Sequence, residues 1–144
     1  MIVQFYGITF DLPVGLEDIT DDLPEGSPPT LVKESDAGGA LQFSIAKYRS
    51  GEKPNADFDV LRTFMIEFCR NNFIDIERIF ERKFGDVMCV GVSSRTTDQT
   101  LSAWYLSNGN DFAFVTYLAQ GEEYDLIDEE LGETREIISS ISFG

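Results

Sequence analysis

Between Gln99 and Gly121 the chain carries a single charged side chain, Asp111. Two runs fill this stretch, "TLSAWYLS" and "DFAFVTYLA", with "NGN" between them. Asn-Gly readily takes the positive φ values of a type I′ turn, so the pattern predicts a β-hairpin. Sheet edges are usually defended by charge, and strands so poor in it belong at the centre.

The remaining segments supply neighbours for that hairpin. "IVQFYGITFDLP" reads as one or two short strands closed by Pro13, and "GLEDITDDLPEGSPP" as an acidic, proline-rich loop. "TLVKES" and "ALQFSIAKYRS" form a second expected hairpin, with Leu41, Phe43 and Ile45 alternating onto one face. "DAGGA", from Asp36 to Ala40, suits its tight turn. After the breaker "GEKPN", Leu61, Phe64, Met65, Phe68 and Cys69 recur at spacings of three and four, predicting a core-facing helix over "ADFDVLRTFMIEFCRNN". Asn55 or Asp57 can cap its start, and Asn71-Asn72 suits its end. "FIDIERIFERKF" and "DVMCVGVSSRT" are further strand candidates, and "EEYDLIDEELGETREIISS" returns to helical period before a terminal "ISF". The expected fold is α+β: one domain over residues 1–144, an antiparallel sheet of about six strands packed with two main helices.

Charge and missing residue types restrict function. Eleven Lys and Arg face 26 Asp and Glu, a net charge of −15. Such a field repels nucleic acid and anionic lipid and favours a basic partner, although the same acidity also serves solubility. The start, "MIVQFYGITFDLPVG", has no basic n-region, so no signal peptide is expected. No apolar run approaches the ~20 residues of a membrane span. Cys69 and Cys89, each inside an apolar segment, are expected to be buried free thiols in a reducing cytoplasm. The chain has no histidine, which removes Ser-His and Cys-His nucleophilic catalysis, imidazole acid–base work and most transition-metal sites. Carboxylate chemistry survives, but no calcium-loop, phosphate-loop or dinucleotide motif is present. The expectation is therefore no enzyme, no cofactor and no metal.

The carboxylates form two clusters. In the last helical segment Tyr124, Ile127, Leu131 and Ile138 make an apolar stripe, and Glu122, Asp125, Glu129, Glu133 and Glu136 fall on the other side. Glu122 and Glu123 sit near the helix start, where the macrodipole favours each by about 0.3–1 kcal/mol. Glu129 and Glu133 are instead a like-charge i,i+4 pair, and Gly132 costs about 1 kcal/mol against alanine. Those penalties raise a partner-surface reading beside that of a solvated face. The second cluster is Glu17, Asp18, Asp21, Asp22 and Glu25, in a span whose first basic residue is Lys33. Basic residues gather in the middle, at Lys47, Arg49 and Lys53, then Arg78, Arg82 and Lys83.

The order strand–strand–hairpin–helix–antiparallel meander–helix–short strand resembles the PsbP-like sandwich shared with Mog-type Ran-binding proteins. The entry "ITFDLPVGLEDIT" is similar to that family's strand, Leu-Pro, Gly, acidic, Thr opening, and "IISSISF" to its closing Ser–apolar–Phe strand. The resemblance implies no common catalytic residue; it implies protein-binding roles, as in bacterial effector chaperones and immunity proteins. The leading expectation is a cytoplasmic immunity protein that occludes the active site of a basic toxin domain, with no nucleic-acid or membrane partner. Its contact residues would be Glu17, Asp18, Asp21, Asp22, Glu25, Glu122, Glu123, Asp125, Glu129 and Glu133. The alternative is a chaperone or adaptor for a secreted effector, cradling an apolar helix on an exposed sheet groove with Trp104, Tyr105 and Tyr117 as apolar contacts.

Overall fold

A computed structural model of the protein describes residues 1–33 and 38–144. Its elements in chain order are β1 (Ile2–Phe5), β2 (Ile8–Asp11), β3 (Leu16–Asp18), β4 (Thr30–Lys33), β5 (Ala40–Ala46), α1 (Phe58–Asn71), β6 (Phe80–Phe84), β7 (Val87–Arg95), β8 (Gln99–Ser107), β9 (Phe112–Gln120) and α2 (Tyr124–Ser140). Strands β3 to β9 build one antiparallel sheet of seven, in the order β3-β4-β5-β9-β8-β7-β6, and β1 pairs with β2 as a separate hairpin. The expected six strands become seven because part of the acidic loop is ordered as edge strand β3, where Glu17 pairs opposite Val32. Edge position tolerates that charge. β9 holds the middle of the order with β8 beside it, as their lack of charge predicts.

Alternation along the strands sends side chains to two separate cores. One lies under α2 and the β1–β2 hairpin, around Ile8, Phe10, Phe43, Val115, Ile127 and Ile137. The other lies under α1, where Leu61, Met65 and Cys69 meet Val90, Val92 and Ala103. The two cysteines thus face opposite sides of the sheet, and both are free and buried. Asp57 caps α1 by accepting a hydrogen bond from the Val60 N–H at 3.0 Å, and Asn72 closes it by donating from Nδ2 to the Phe68 carbonyl. Among the described residues no helix is long and apolar enough to cross a membrane.

Two turns differ from their expected form. Ser107 pairs with Phe112, so the β8–β9 connection is four residues long, with positive φ at Gly109 alone. Asn108 organises it instead, its Oδ1 accepting from the N–H groups of Asn110 and Asp111. That preference of Asn for its own backbone two residues on is an Asx turn. The one charge of the hairpin, Asp111, accepts from the Tyr48 N–H at 2.8 Å, tying the turn to the end of β5. The two-residue turn with positive φ at both positions occurs at Tyr6-Gly7, with φ of 50° and 95°. Of the turn expected over Asp36–Ala40, residues 36 and 37 lie outside the described residues. "FIDIERIFERKF" becomes a strand only from Phe80, because Asp75 caps a short 3₁₀ turn over Ile76–Arg78.

The chain ends meet beside β1 and β2. Thr9 and Ser142 exchange backbone hydrogen bonds at 2.9 and 2.8 Å, so the terminal "ISF" contributes one bridge where a closing strand is expected. Lys47 Nζ donates to the carbonyls of Gly7 and Phe143, and Phe143 is buried. On β7, an added Cβ at Gly91 would stand 2.5 Å from Phe80 Cζ and 2.8 Å from Trp104 Cδ1. Gly91→Ala is therefore expected to destabilise the fold by about 1–3 kcal/mol, read by chemical denaturation, because both rings sit against the backbone.

Candidate partner-binding surface

Helix α2 holds its carboxylates in three different environments. Ile127, Leu131 and Ile138 are buried against the sheet, as the stripe predicts; Ile137 joins them, and Tyr124 is half-buried. Glu130 is buried with them, at 4% exposure. It accepts a hydrogen bond from Tyr117 Oη at 2.7 Å and another from the Gly39 N–H at 3.2 Å. A Cβ at Gly39 would collide with the Tyr117 ring and Glu130 Oε1, so only glycine lets the backbone reach this carboxylate. The spacing signal for Glu130 is in the sequence, three residues after Ile127 and four before Thr134; the charge of its side chain hides it. Burial first, and then the bond donated to Glu130, raises the Tyr117 phenol well above its ordinary range.

A second group of acids is neutralised across the fold. Lys33, at the end of β4, places Nζ 2.6 Å from Glu133 and 3.7 Å from Glu129. The costly i,i+4 pair is thus a two-carboxylate clasp on one ammonium, with the Lys33 and Glu133 side chains only 17% and 19% exposed. Arg95, at the end of β7, reaches Asp128 at 2.6 Å and stacks over the Tyr124 ring at 4.6 Å from its centroid. α2 therefore has basic partners that only folding brings to it. Of the predicted contacts, Glu129 and Glu133 are in part structural. Asp18 is too, since its Oδ1 accepts from the N–H and hydroxyl of Thr20, the first residue of the 3₁₀ turn over Thr20–Asp22.

The third group is exposed and forms no ion pair among the described residues. It includes Glu122, Glu123 and Asp125 at the start of α2, Glu136 near its end, Glu17 on β3, and Asp21, Asp22 and Glu25 beyond it. Edge strand β3 and helix α2 are connected through β4: Leu16 pairs opposite Lys33, and Lys33 contacts α2. Asp21, Asp22 and Glu25 lie further along the edge, and no ion pair or hydrogen bond among the described residues joins them to the α2 carboxylates. Glu130 and Glu133 line a space of about 10 Å³, which leaves no room between them for a substrate. Among the described residues no group of three His, Cys, Asp or Glu side chains is placed to hold a metal ion.

The predicted apolar contacts separate. Trp104 and Tyr117 fall on the strand rows beneath α2 and are buried, at 4% and 1% exposure. This corrects the placing of both with Tyr105 on one exposed groove: strand parity turns them toward the α2 face, where Tyr117 is enclosed and Trp104 borders the cleft between α2 and β6. Tyr105, one residue from Trp104, points to the opposite face and is half-buried. There it stacks on Phe114 at 4.1 Å, with Phe64 and Phe112 close by. These aromatics border an open groove of about 350 Å³ next to Ser44 and Ala46, because α1 leaves the outer row of β5 bare. Phe64 of α1 is 40% exposed. Its 3–4 spacing with Leu61 and Phe68 gives no hint that it sits at the rim of the stripe.

No protein-family model matches the sequence, and no curated protein matches it either. Solved structures match in fold. A protein of Bacteroides thetaiotaomicron superposes with a TM-score of 0.63 at 13% identity, over 94% of this chain and 44% of that one. Cyanobacterial PsbP from Synechocystis gives 0.58 at 15% identity, covering 99% of this chain and 91% of that one. A variant of the protein Mog1 gives 0.57 at 9%, covering 99% and 95%. The fold is the PsbP- and Mog-like α+β sandwich. At such identities the likeness carries architecture and not activity. This chain spans less than half of the Bacteroides protein.

Within the PsbP-like frame, the Tyr117–Glu130 contact is the polar bond between central strand and last helix. Tyr117→Phe leaves a buried carboxylate short of a donor and is expected to cost about 1–3 kcal/mol in denaturant melts. Alkali provides a second check. Tyr117 and Cys89 both keep their protons in the folded state beyond their ordinary values of 10.0 and 9.0, Cys89 up to about 12, chiefly through burial. The unfolded chain releases those protons first, so stability is full below pH 9 and falls as pH rises toward 12. The Tyr117→Phe variant should lose less of its own stability over that rise than the parent does.

Proposed function

We propose that this chain is a non-catalytic binding protein that engages a basic protein partner through its exposed carboxylates. The specific form of the proposal is an immunity-type inhibitor that covers the active site of a basic toxin domain. The observation that carries it is the exposed set Glu122, Glu123, Asp125, Glu17, Asp21, Asp22 and Glu25, left without a cation among the described residues while Glu129, Glu133 and Asp128 are paired. Carboxylates already clasped by Lys33 and Arg95 have less to offer a partner than carboxylates standing in water. Arginines and lysines that a toxin uses to hold an anionic substrate would be neutralised on contact. Charge at the rim of such an interface mainly sets the association rate and its salt dependence.

The test is capture of basic proteins from lysate on the immobilised chain at low and high salt, followed by kinetics with the purified partner. A triple variant, Glu122→Lys, Glu123→Lys and Asp125→Lys, should slow association by about tenfold or more at low salt while leaving the melting temperature close to that of the parent. Capture of acidic partners only, or binding indifferent to salt and to the triple variant, sinks this reading.

A second reading, an adaptor or chaperone for a secreted effector, draws support from one observation: the aromatic groove at Phe64, Tyr105, Phe112 and Phe114. An apolar helix of a cargo protein would lie there. Phe64→Glu separates the two readings: it should abolish binding of an adaptor's cargo, and it should leave inhibition through the acidic surface unchanged.

A further inference from the structure

Between α2 and edge strand β6 the acidic molecule opens a cleft of about 560 Å³ whose character is apolar with a basic mouth. Phe80 and Phe84 of β6 lie on its floor with Trp104 of β8 and Cys89 of β7. Arg82 stands between the two phenylalanines in the same strand row, and Arg135 of α2 lies across from it. Neither arginine forms an ion pair among the described residues. Arg82 donates to the Glu81 carbonyl at 2.8 Å and lies over the Phe80 ring at 5.3 Å. Glu136 also reaches the rim, so the mouth carries two cations and one anion in a chain of net charge −15.

Gly132 is the second observation. It sits in the interior of α2, where glycine is unfavourable, and it lines this cleft. An added Cβ would find nothing within 4 Å, so no close packing demands the glycine. What glycine does here is leave the helix wall of the cleft without a side chain.

We propose that this cleft binds a small anionic amphiphile, with its carboxylate held between Arg82 and Arg135 and its alkyl or aromatic body on Phe80, Phe84 and Trp104. The volume falls in the range of about 300–1,000 Å³ typical of small-ligand sites, which combine an apolar lining with a few placed polar groups. Two guanidinium groups at the mouth favour an anion, for which Arg supplies planar, forked donors. The apolar floor selects against a fully polar one such as a free phosphate. This site is independent of the exposed carboxylates at the start of α2.

Trp104 is the only tryptophan and lies in the cleft, so its fluorescence reports occupancy. The experiment titrates the intact protein with decanoate, decanol and decyltrimethylammonium, each below its micelle concentration, by Trp104 fluorescence and calorimetry. Decanoate is expected to bind saturably, one per chain, about tenfold or more tighter than decanol, with the cation weaker still. The double variant Arg82→Ala, Arg135→Ala should bring decanoate down to the affinity of decanol. Gly132→Leu should remove binding of both while its circular dichroism and melt remain those of a folded chain; Gly132→Ala, a smaller intrusion, should weaken both. Equal affinities for decanoate and decanol, no saturable decanoate binding, or binding indifferent to the arginine pair and to Gly132→Leu overturns the proposal. Binding of an acidic, apolar peptide in place of decanoate overturns it equally.

Discussion

The seam between β5 and β9 joins the two halves of the chain, and the rest of the structure is arranged around it. Seven residue pairs, from Ala40 opposite Leu118 to Ala46 opposite Phe112, attach the N-terminal strands to the C-terminal meander. Without that pairing, β3, β4 and β5 would have no sheet to belong to. Phe43 would lose Val115, and the β1–β2 hairpin would lose the Phe10–Phe43 stack on which it rests. These contacts join segments about 70 residues apart, a loop closure that weighs on folding rate more than on stability. The same strand, β9, carries Tyr117, so it also fixes where α2 docks.

That docking determines what the acidic helix can do. A helix with so many carboxylates and one arginine of its own would be a poor isolated helix. In the fold, Lys33 and Arg95 come from β4 and β7 to relieve its middle, and Glu130 turns inward to the Tyr117 hydroxyl and the Gly39 N–H. Within α2 and the β3 edge, the acids left without an ion pair among the described residues include those at the first turn of the helix and along the strand edge. The carboxylate count of α2 therefore overstates its free acidic surface. On the far side, glycine in α2 and arginines on β6 and α2 make a basic, apolar cleft within a molecule whose overall field is negative.

Much of the fold is readable from local pattern. The absence of charge between Gln99 and Gly121 predicts the central hairpin, 3–4 spacing predicts α1 and α2, and Asp57 and Asn72 cap as their types suggest. Features that depend on competing local chemistry are less legible. Asn108-Gly109 carries the strongest two-residue turn signal, yet Asn108 uses its side chain on its own backbone and the turn widens. Tyr6-Gly7, a weaker signal, makes the tight turn because β1 and β2 impose it. Trp104, Tyr105 and Tyr117 look alike as aromatic strand residues. Strand parity relative to a helix distant in sequence sends Trp104 and Tyr117 under α2 and leaves Tyr105 at a groove.

The amino-acid sequence by itself determined the periods, the position of the central strands, the two helices and the lack of imidazole chemistry, because each follows from residue type and spacing over short range. Tertiary structure alone decided which carboxylates are free, since that depends on Lys33 and Arg95 crossing the fold. It also decided that Glu130 is a buried anchor and that Gly132 opens a cleft, because a side chain's surroundings are set by elements far away along the chain.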